Sequence, residues 1–269
     1  MFKISPAIYR NLPLSTFKDN LAALSGLAGF FLLWEVAPRT GIIDEQFLPP
    51  VSAVMAAMAK MTAGGDLFVH IAASVQRTLI GIFFATIVAI PAGFILGGAF
   101  PAATLFLRPL TRILGQINAF CLFPIFILFF GIGELSKISI IFWSTIWPIF
   151  STTVAGVRQI DPLYIKIARS MGTGKLSIFQ KVIMPGAAPV IFTGIRAGAN
   201  LAFLMLIAAE LIGAKAGLGW LIKNSTENFI IPRLFAAALL IAVLGMLANY
   251  LITCAEKTLI VWNKEQSHD

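Results

Sequence analysis

Asp161 to Pro185, DPLYIKIARSMGTGKLSIFQKVIMP, is a long amphipathic, charged insert between two apolar segments that are each long enough to cross a bilayer. Asp161 and Pro162 read as an N-cap and first helical residue, Gly172 as a helix stop, Thr173 as a second N-cap, and Pro185 as the end of the next helix. The stretch therefore predicts two short helices joined at Gly172 to Gly174. From Arg158 onward it carries Arg158, Lys166, Arg169, Lys175 and Lys181 against Asp161 alone. A basic loop of this kind belongs on the cytoplasmic side of a membrane.

Composition supports a membrane setting. The 269 residues are 58% hydrophobic and 12% charged, with a mean hydropathy of +0.90, whereas a soluble domain runs nearer half apolar and a quarter charged. The net charge of +8 does not point to nucleic acid, because the basic residues are scattered between apolar spans and form no basic, aromatic patch. Cys121 and Cys254 fall inside apolar spans and read as packing residues.

Six spans are predicted, at 21–34, 79–100, 113–132 (broken by Pro124), 138–157, 189–212 and 234–255, with a short helix in 47–65 on the outer surface. Residues 1–20 read as a cytoplasmic tail, 21–262 as the membrane domain, 158–185 as its cytoplasmic loop and 263–269 as a C-terminal tail. With both termini inside, twelve of the 20 Lys and Arg lie within; seven (Arg39, Lys60, Arg77, Lys137, Lys215, Lys223 and Arg233) lie outside. Arg196 is in the fifth span, and the bias favours an N-in, C-in, all-α membrane protein.

The insert resembles the cytoplasmic EAA loop of permease subunits of ATP-binding-cassette importers. Ala168, Gly172 and Pro185 match that pattern in identity and spacing, and Val182 and Met184 match in character; Lys166 and Ile167 replace its Glu and first Ala. Phe123 to Lys137, FPIFILFFGIGELSK, and Phe192 to Ile222, FTGIRAGANLAFLMLIAAELIGAKAGLGWLI, look like the nitrate, sulfonate, taurine and bicarbonate branch of the same permeases. The resemblance implies a type I importer permease fold, a permease homodimer, two cytoplasmic ATPase subunits that bind ATP and Mg, and an extracytoplasmic substrate-binding protein. It implies ATPase coupling through Lys166, Ala168, Arg169, Ser170, Gly172, Thr173, Gly174 and Pro185, and a small anion as cargo. Relatives with similar sequences also imply a pyrimidine or vitamin precursor, and a passive channel or scaffold subunit is the rival of another class.

The chain itself carries no cofactor or catalytic signature. Gly172 to Lys175 lacks the spacing of a phosphate-binding loop, since Arg169 and Leu176 stand where a Gly and a Ser or Thr are needed. With only His70 and His268, and no clustered carboxylates, it offers no metal or hydrolytic site. The expectation is a non-enzyme, with ATP hydrolysed by a partner.

Arg196, Asn200, Phe203, Ile207 and Glu210 recur at steps of four and three, so they share a helix face. At about 1.5 Å per residue the two charges stand about 21 Å apart, too far to pair with each other. Two readings stand. One is a pathway-facing stripe; the other anchors Arg196 near the inner end and puts Glu210 at the outer interface. Phe120 and Phe123, beside Pro124, are candidates for narrowing the pathway, and Glu134, Lys137, Lys215 and Trp220 for meeting the binding protein, although aromatics there also serve as interfacial anchors. Reporter fusions at Lys175 and at the C-terminus are expected to report the cytoplasm, and a fusion at Lys215 the exterior; an external Lys175 would overturn this topology.

Overall fold

A computed structural model of the chain describes residues 13–99 and 101–260, and every regular element among them is helical. Residues 1–12 of the expected tail, and the whole of 263–269, lie outside the described residues. The helices are α1 (Pro13–Arg39), α2 (Val51–Ala63), α3 (Asp66–Phe94), α4 (Pro101–Gln116), α5 (Ala119–Phe130), α6 (Glu134–Arg158), α7 (Pro162–Ser170), α8 (Lys175–Ile178), α9 (Met184–Gly213), α10 (Leu218–Glu227) and α11 (Ile231–Leu259). Wider π turns extend α3 over Ile95–Ala99 and join α8 to α9 over Phe179–Ile183.

Among the described residues, four stretches are long and apolar enough to cross a membrane: Asp66–Gly98, Glu134–Arg158, Lys175–Gly213 and Ile231–Leu259. Phe106–Gln116 and α5 meet the same test as a pair bent by 89°. The bend is not at Pro124, as the sequence suggested, but at Ile117–Asn118. There the Asn118 side chain accepts a 3.0 Å bond from the Phe120 N–H and starts a fresh helix, within which Pro124 sits unbroken.

Glycine contacts fix how the spans run. A Cβ on Gly81, Gly93 or Gly97 would meet Ile141, Thr153 or Val157, a constant offset of sixty residues, so α3 and α6 run parallel and in register. A Cβ on Gly194 would meet Thr152 and Pro148, and one on Gly198 would meet Thr145, so α9 runs antiparallel to α6. Two parallel helices need a return between them, and the bent pair of α4 and α5 supplies it. α6 thus lies between α3 and α9, with Ile140, Ile141 and Ile149 fully buried. The small residues let backbones approach where apolar area against lipid gives no driving force.

At the end where α3 and α6 begin, Glu35 of α1 accepts from the Ser52 N–H (2.9 Å) and hydroxyl (2.8 Å) and so caps α2, while Trp34 donates to the Pro49 carbonyl at 3.0 Å and packs on Phe235. Val54, Leu67, Leu218, Leu221, Ala236 and Ile241 form the core beneath α2 and α10. Outward faces stay apolar, as at Phe83, Leu128, Phe129 and Leu251, which suits lipid rather than water.

The tight packing has a test. A Cβ on Gly93 would lie 2.5 Å from the Thr153 Cβ and 3.3 Å from the Phe150 carbonyl oxygen, whereas one on Gly245 meets nothing within 4 Å. Gly93→Leu is expected to destabilise by about 1–3 kcal/mol, seen as a lowered unfolding midpoint in detergent, with Gly245→Leu close to wild type.

Candidate functional site: a basic hairpin and a polar lock

The basic insert forms the hairpin its sequence foretold at its first turn. Asp161 accepts a 2.8 Å bond from the Leu163 N–H, and Pro162 follows at the first helical position. At the other end of α7 the Thr173 N–H reaches the Ala168 carbonyl (3.1 Å) and the Gly172 N–H reaches Arg169 (3.0 Å), with Gly172 at φ +75°. That is a Schellman stop, which needs a residue tolerant of the left-handed region.

Two expectations about the second half need correction. Thr173 is not the cap of the next helix; Gly174, in extended conformation, precedes α8 without a side-chain bond. Pro185 does not end a helix either. Lys175–Gly213 is continuous, because the π turn ahead of Pro185 shifts the hydrogen-bond register and the proline falls in the first turn of α9, where its missing N–H is tolerated.

None of the nine residues of α7 is buried, and Leu163, Tyr164, Ile167 and Met171 leave an exposed apolar face at helical spacing. Lys166 and Arg169 are exposed beside it, Ala168 is half-buried, and Ser170 spends its hydroxyl on the Ile167 carbonyl at 2.8 Å. Arg169 and Lys175 also line a cavity of about 950 Å³ walled by Ile90, Phe94, Ile183 and Met184, between the hairpin and the C-terminal end of α3.

The α9 stripe does not act as one surface. Glu210 is fully buried, neither facing a pathway nor sitting at an interface. Its carboxylate accepts from the Arg77 guanidinium (2.6 Å), from the Ser74 hydroxyl (2.8 Å) and from the Gly219 N–H (2.8 Å). Arg77 also grips Glu134 with two bonds of 2.5 and 2.8 Å and donates to the Ala216 carbonyl at 2.6 Å. The Ser74 oxygen accepts from Leu218 N–H, and His70 Nδ1 from Gly217 N–H. One lock therefore ties α3, α6 and α9 to the loop ahead of α10.

Glycine is required in that loop. Gly217 has φ +128°, and a Cβ there would lie 2.3 Å from a Glu210 oxygen; one on Gly219 would lie 2.7 Å from the Glu210 Cβ. Near the middle of α9, Arg196 is paired with Glu256 of α11, partly exposed, with its Nε unpartnered. Phe203 packs in the α5–α6–α9 core that buries Phe123, Ile207 packs against the α2–α10–α11 core, and Asn200 and Phe120 are exposed.

Of the residues expected to meet a binding protein, Glu134 and Lys215 are exposed and Trp220 is half-buried, stacked on His70 at 5.0 Å. Lys137 is only 3% exposed, so it offers no such surface; its Nζ donates to the Gly133 carbonyl and to Glu134. Arg77 was missed as a site residue. Its signal was its place: a lone cation opening an otherwise uncharged run, at the same end as the lone Glu210.

Membrane-length helices around α6, a polar lock at one end and an unburied basic hairpin at the other define the membrane component of a transport system. The model of the family "Binding-protein-dependent transport system inner membrane component" matches residues 89–260, and the chain belongs to that family. It is 34% identical over 246 residues to the putative aliphatic sulfonates transport permease protein SsuC of Escherichia coli K12, covering 87% of this chain and 89% of that protein. Against the taurine transport system permease protein TauC of the same strain it is 29% identical over 248 residues, covering 90% of each. Against the bicarbonate transport system permease protein CmpB of Synechocystis it is 31% identical over 251 residues, covering 89% and 88%. Among solved structures, the MetNI methionine ABC transporter in an inward-facing conformation shares the fold, with a TM-score of 0.53 at 19% identity over 70% of this chain and 91% of that one.

Removing Arg77 leaves the fully buried Glu210 carboxylate without a cationic partner, while Glu134 keeps Lys137. Arg77→Met is expected to cost about 3–5 kcal/mol, measured as loss of folded protein and a lower unfolding midpoint. The double variant Arg77→Met with Glu210→Met should recover part of that loss; independent, additive losses would mean the two are not coupled.

Proposed function

We propose that the chain is the permease subunit of an ATP-driven importer of small anions such as sulfonates, taurine or bicarbonate. The observation that carries this reading is the unburied α7 face. An amphipathic helix with Leu163, Tyr164, Ile167 and Met171 exposed is suited to a groove on a soluble partner, and it lies beside the start of a helix that runs on through the membrane domain. The family, and the sulfonate, taurine and bicarbonate permeases among its relatives, support the partner and the cargo.

In this reading two ATPase subunits, holding ATP and Mg, dock on the hairpins of a permease homodimer, and an extracytoplasmic binding protein delivers the solute. The chain binds no cofactor and no nucleic acid and catalyses no reaction; its own surroundings are membrane lipid. The domain division is that of the sequence, a tail at 1–20, the membrane domain at 21–262 with its coupling loop at 158–185, and a tail at 263–269. Six spans are proposed: α1, α3, the bent pair, α6, α9 and α11, with both termini and the hairpin inside. The alternating directions of these helices support it, and ATP-driven motion of the hairpin would shift α9 between packings.

The test is uptake by proteoliposomes holding the permease, its ATPase and its binding protein, offered taurine, ethanesulfonate and bicarbonate. Uptake of at least one is expected, and only with ATP; uptake without ATP would make the chain a passive channel. A Cβ on Gly172 meets nothing within 4 Å, so Gly172→Val acts through backbone strain alone, about 1–2 kcal/mol in the left-handed region. It is expected to lower ATP-dependent uptake several-fold at equal membrane abundance. Normal uptake and ATPase assembly by this variant would show that the hairpin is not the dock.

A further inference from the structure

The charge that an anion would meet is not where the sequence suggested. Arg196 is neutralised by Glu256, and Arg77 by Glu134 and Glu210. Three other arginines, Arg108 and Arg112 on α4 and Arg158 at the end of α6, converge on a cavity of about 310 Å³. None of them pairs with a carboxylate among the described residues, and no acidic side chain lines the cavity.

The cavity continues into a second lobe of about 290 Å³ through shared walls at Thr111, Arg112, Phe150 and Ser151. That lobe adds Gln116 and Trp147, whose buried indole Nε1 has no acceptor. The hydroxyls of Thr111 and Ser151 are bonded back to the Arg108 and Pro148 carbonyls, so the free donors of the groove are the guanidinium groups and the Gln116 amide. The groove is thus lined by guanidinium donors and positive, with no carboxylate in its walls. Guanidinium groups offer paired N–H bonds that match the oxygens of a carboxylate, sulfonate or phosphate.

We propose that the α4–α6 groove is a binding site for a small oxyanion of the sulfonate type, at the inner end of the transport path, with Arg108, Arg112 and Arg158 as its cationic ligands. This rests on the importer reading for its place in the path, and on the N-in topology for its side. It deepens that reading by naming what the chain itself contributes to anion preference: an exit-side attraction, separate from the ion-paired Arg196.

The test uses the purified full-length chain in nanodiscs of zwitterionic lipid, with ethanesulfonate as the probe and choline chloride holding ionic strength constant. Trp147 reports on the groove, isolated as the fluorescence difference between wild type and Trp147→Phe. A saturable change is expected. Replacing Arg112 and Arg158 together by Gln should raise the half-saturating concentration roughly ten-fold or more, the loss typical of charge-assisted hydrogen bonds, and Lys at both positions should restore most of it. Arg108→Gln, at an exposed position, is the second variant if the pair fails to reach the membrane, and a several-fold weakening is expected. No saturation, or saturation unmoved by these charges, overturns the site.

The same titration in discs containing phosphatidylglycerol separates the free anion from a lipid phosphate. Binding that persists supports the proposal; binding abolished by the anionic lipid assigns the groove to a headgroup and overturns it. Because the chain is tested alone, saturable binding without ATP-driven uptake by the assembled importer would support the groove and count against the importer reading only.

Discussion

A carboxylate with no exposed surface, next to helices that face lipid, has to be satisfied from within the protein or it unfolds its surroundings. Glu210 meets that requirement with a guanidinium, a hydroxyl and a backbone N–H, supplied by two other segments of the chain. Each donor is in turn held: Arg77 by Glu134 and the Ala216 carbonyl, Ser74 by the N–H of Leu218. The start of α3, the start of α6 and the end of α9 are therefore not free to separate one at a time. The first turn of α10 is bound to the same carboxylate through the Gly219 N–H, and side chains at 217 and 219 would collide with Glu210, so glycine stands at both.

Below that lock the chain uses contact rather than charge. The register of Gly81, Gly93 and Gly97 against α6, and of Gly194 and Gly198 against its other side, sets the three helices at backbone distance. Dispersion between closely fitted surfaces is what remains when burial from water is unavailable. Chemistry is thus segregated along the helices: a closed polar network at one end, small-residue packing through the middle, and a basic, incompletely paired layer at the hairpin end. Arg108, Arg112 and Arg158 belong to that last layer and pair with no carboxylate among the described residues, whereas Arg196 with Glu256 sits nearer the middle of α9.

What could be read from the sequence was what depends on neighbours along the chain. Asp161 with Pro162, and Gly172, signal their turn within a few residues, and the structure places both as read. Pro185 misled because a π turn, which has no sequence mark of its own, relieves the proline and lets the helix continue. The break in the third apolar stretch went to Asn118 rather than Pro124, since a side-chain cap starts a helix more decisively than an accommodated proline ends one. Arg77 with Glu210, and Arg196 with Glu256, join residues 133 and 60 positions apart. The even spacing along α9 suggested a single functional face, but neighbours differ along a helix even when the angle does not.

The continuity through Pro185 makes Lys175–Gly213 one rod of 39 residues, about 58 Å long and nearly twice the thickness of a bilayer's hydrocarbon core. Its tightest approach to α6 is at Gly194, nineteen residues from either end. The unburied hairpin and the carboxylate that closes the polar lock thus belong to one unbroken helical stretch, whose close contact with α6 falls midway along it.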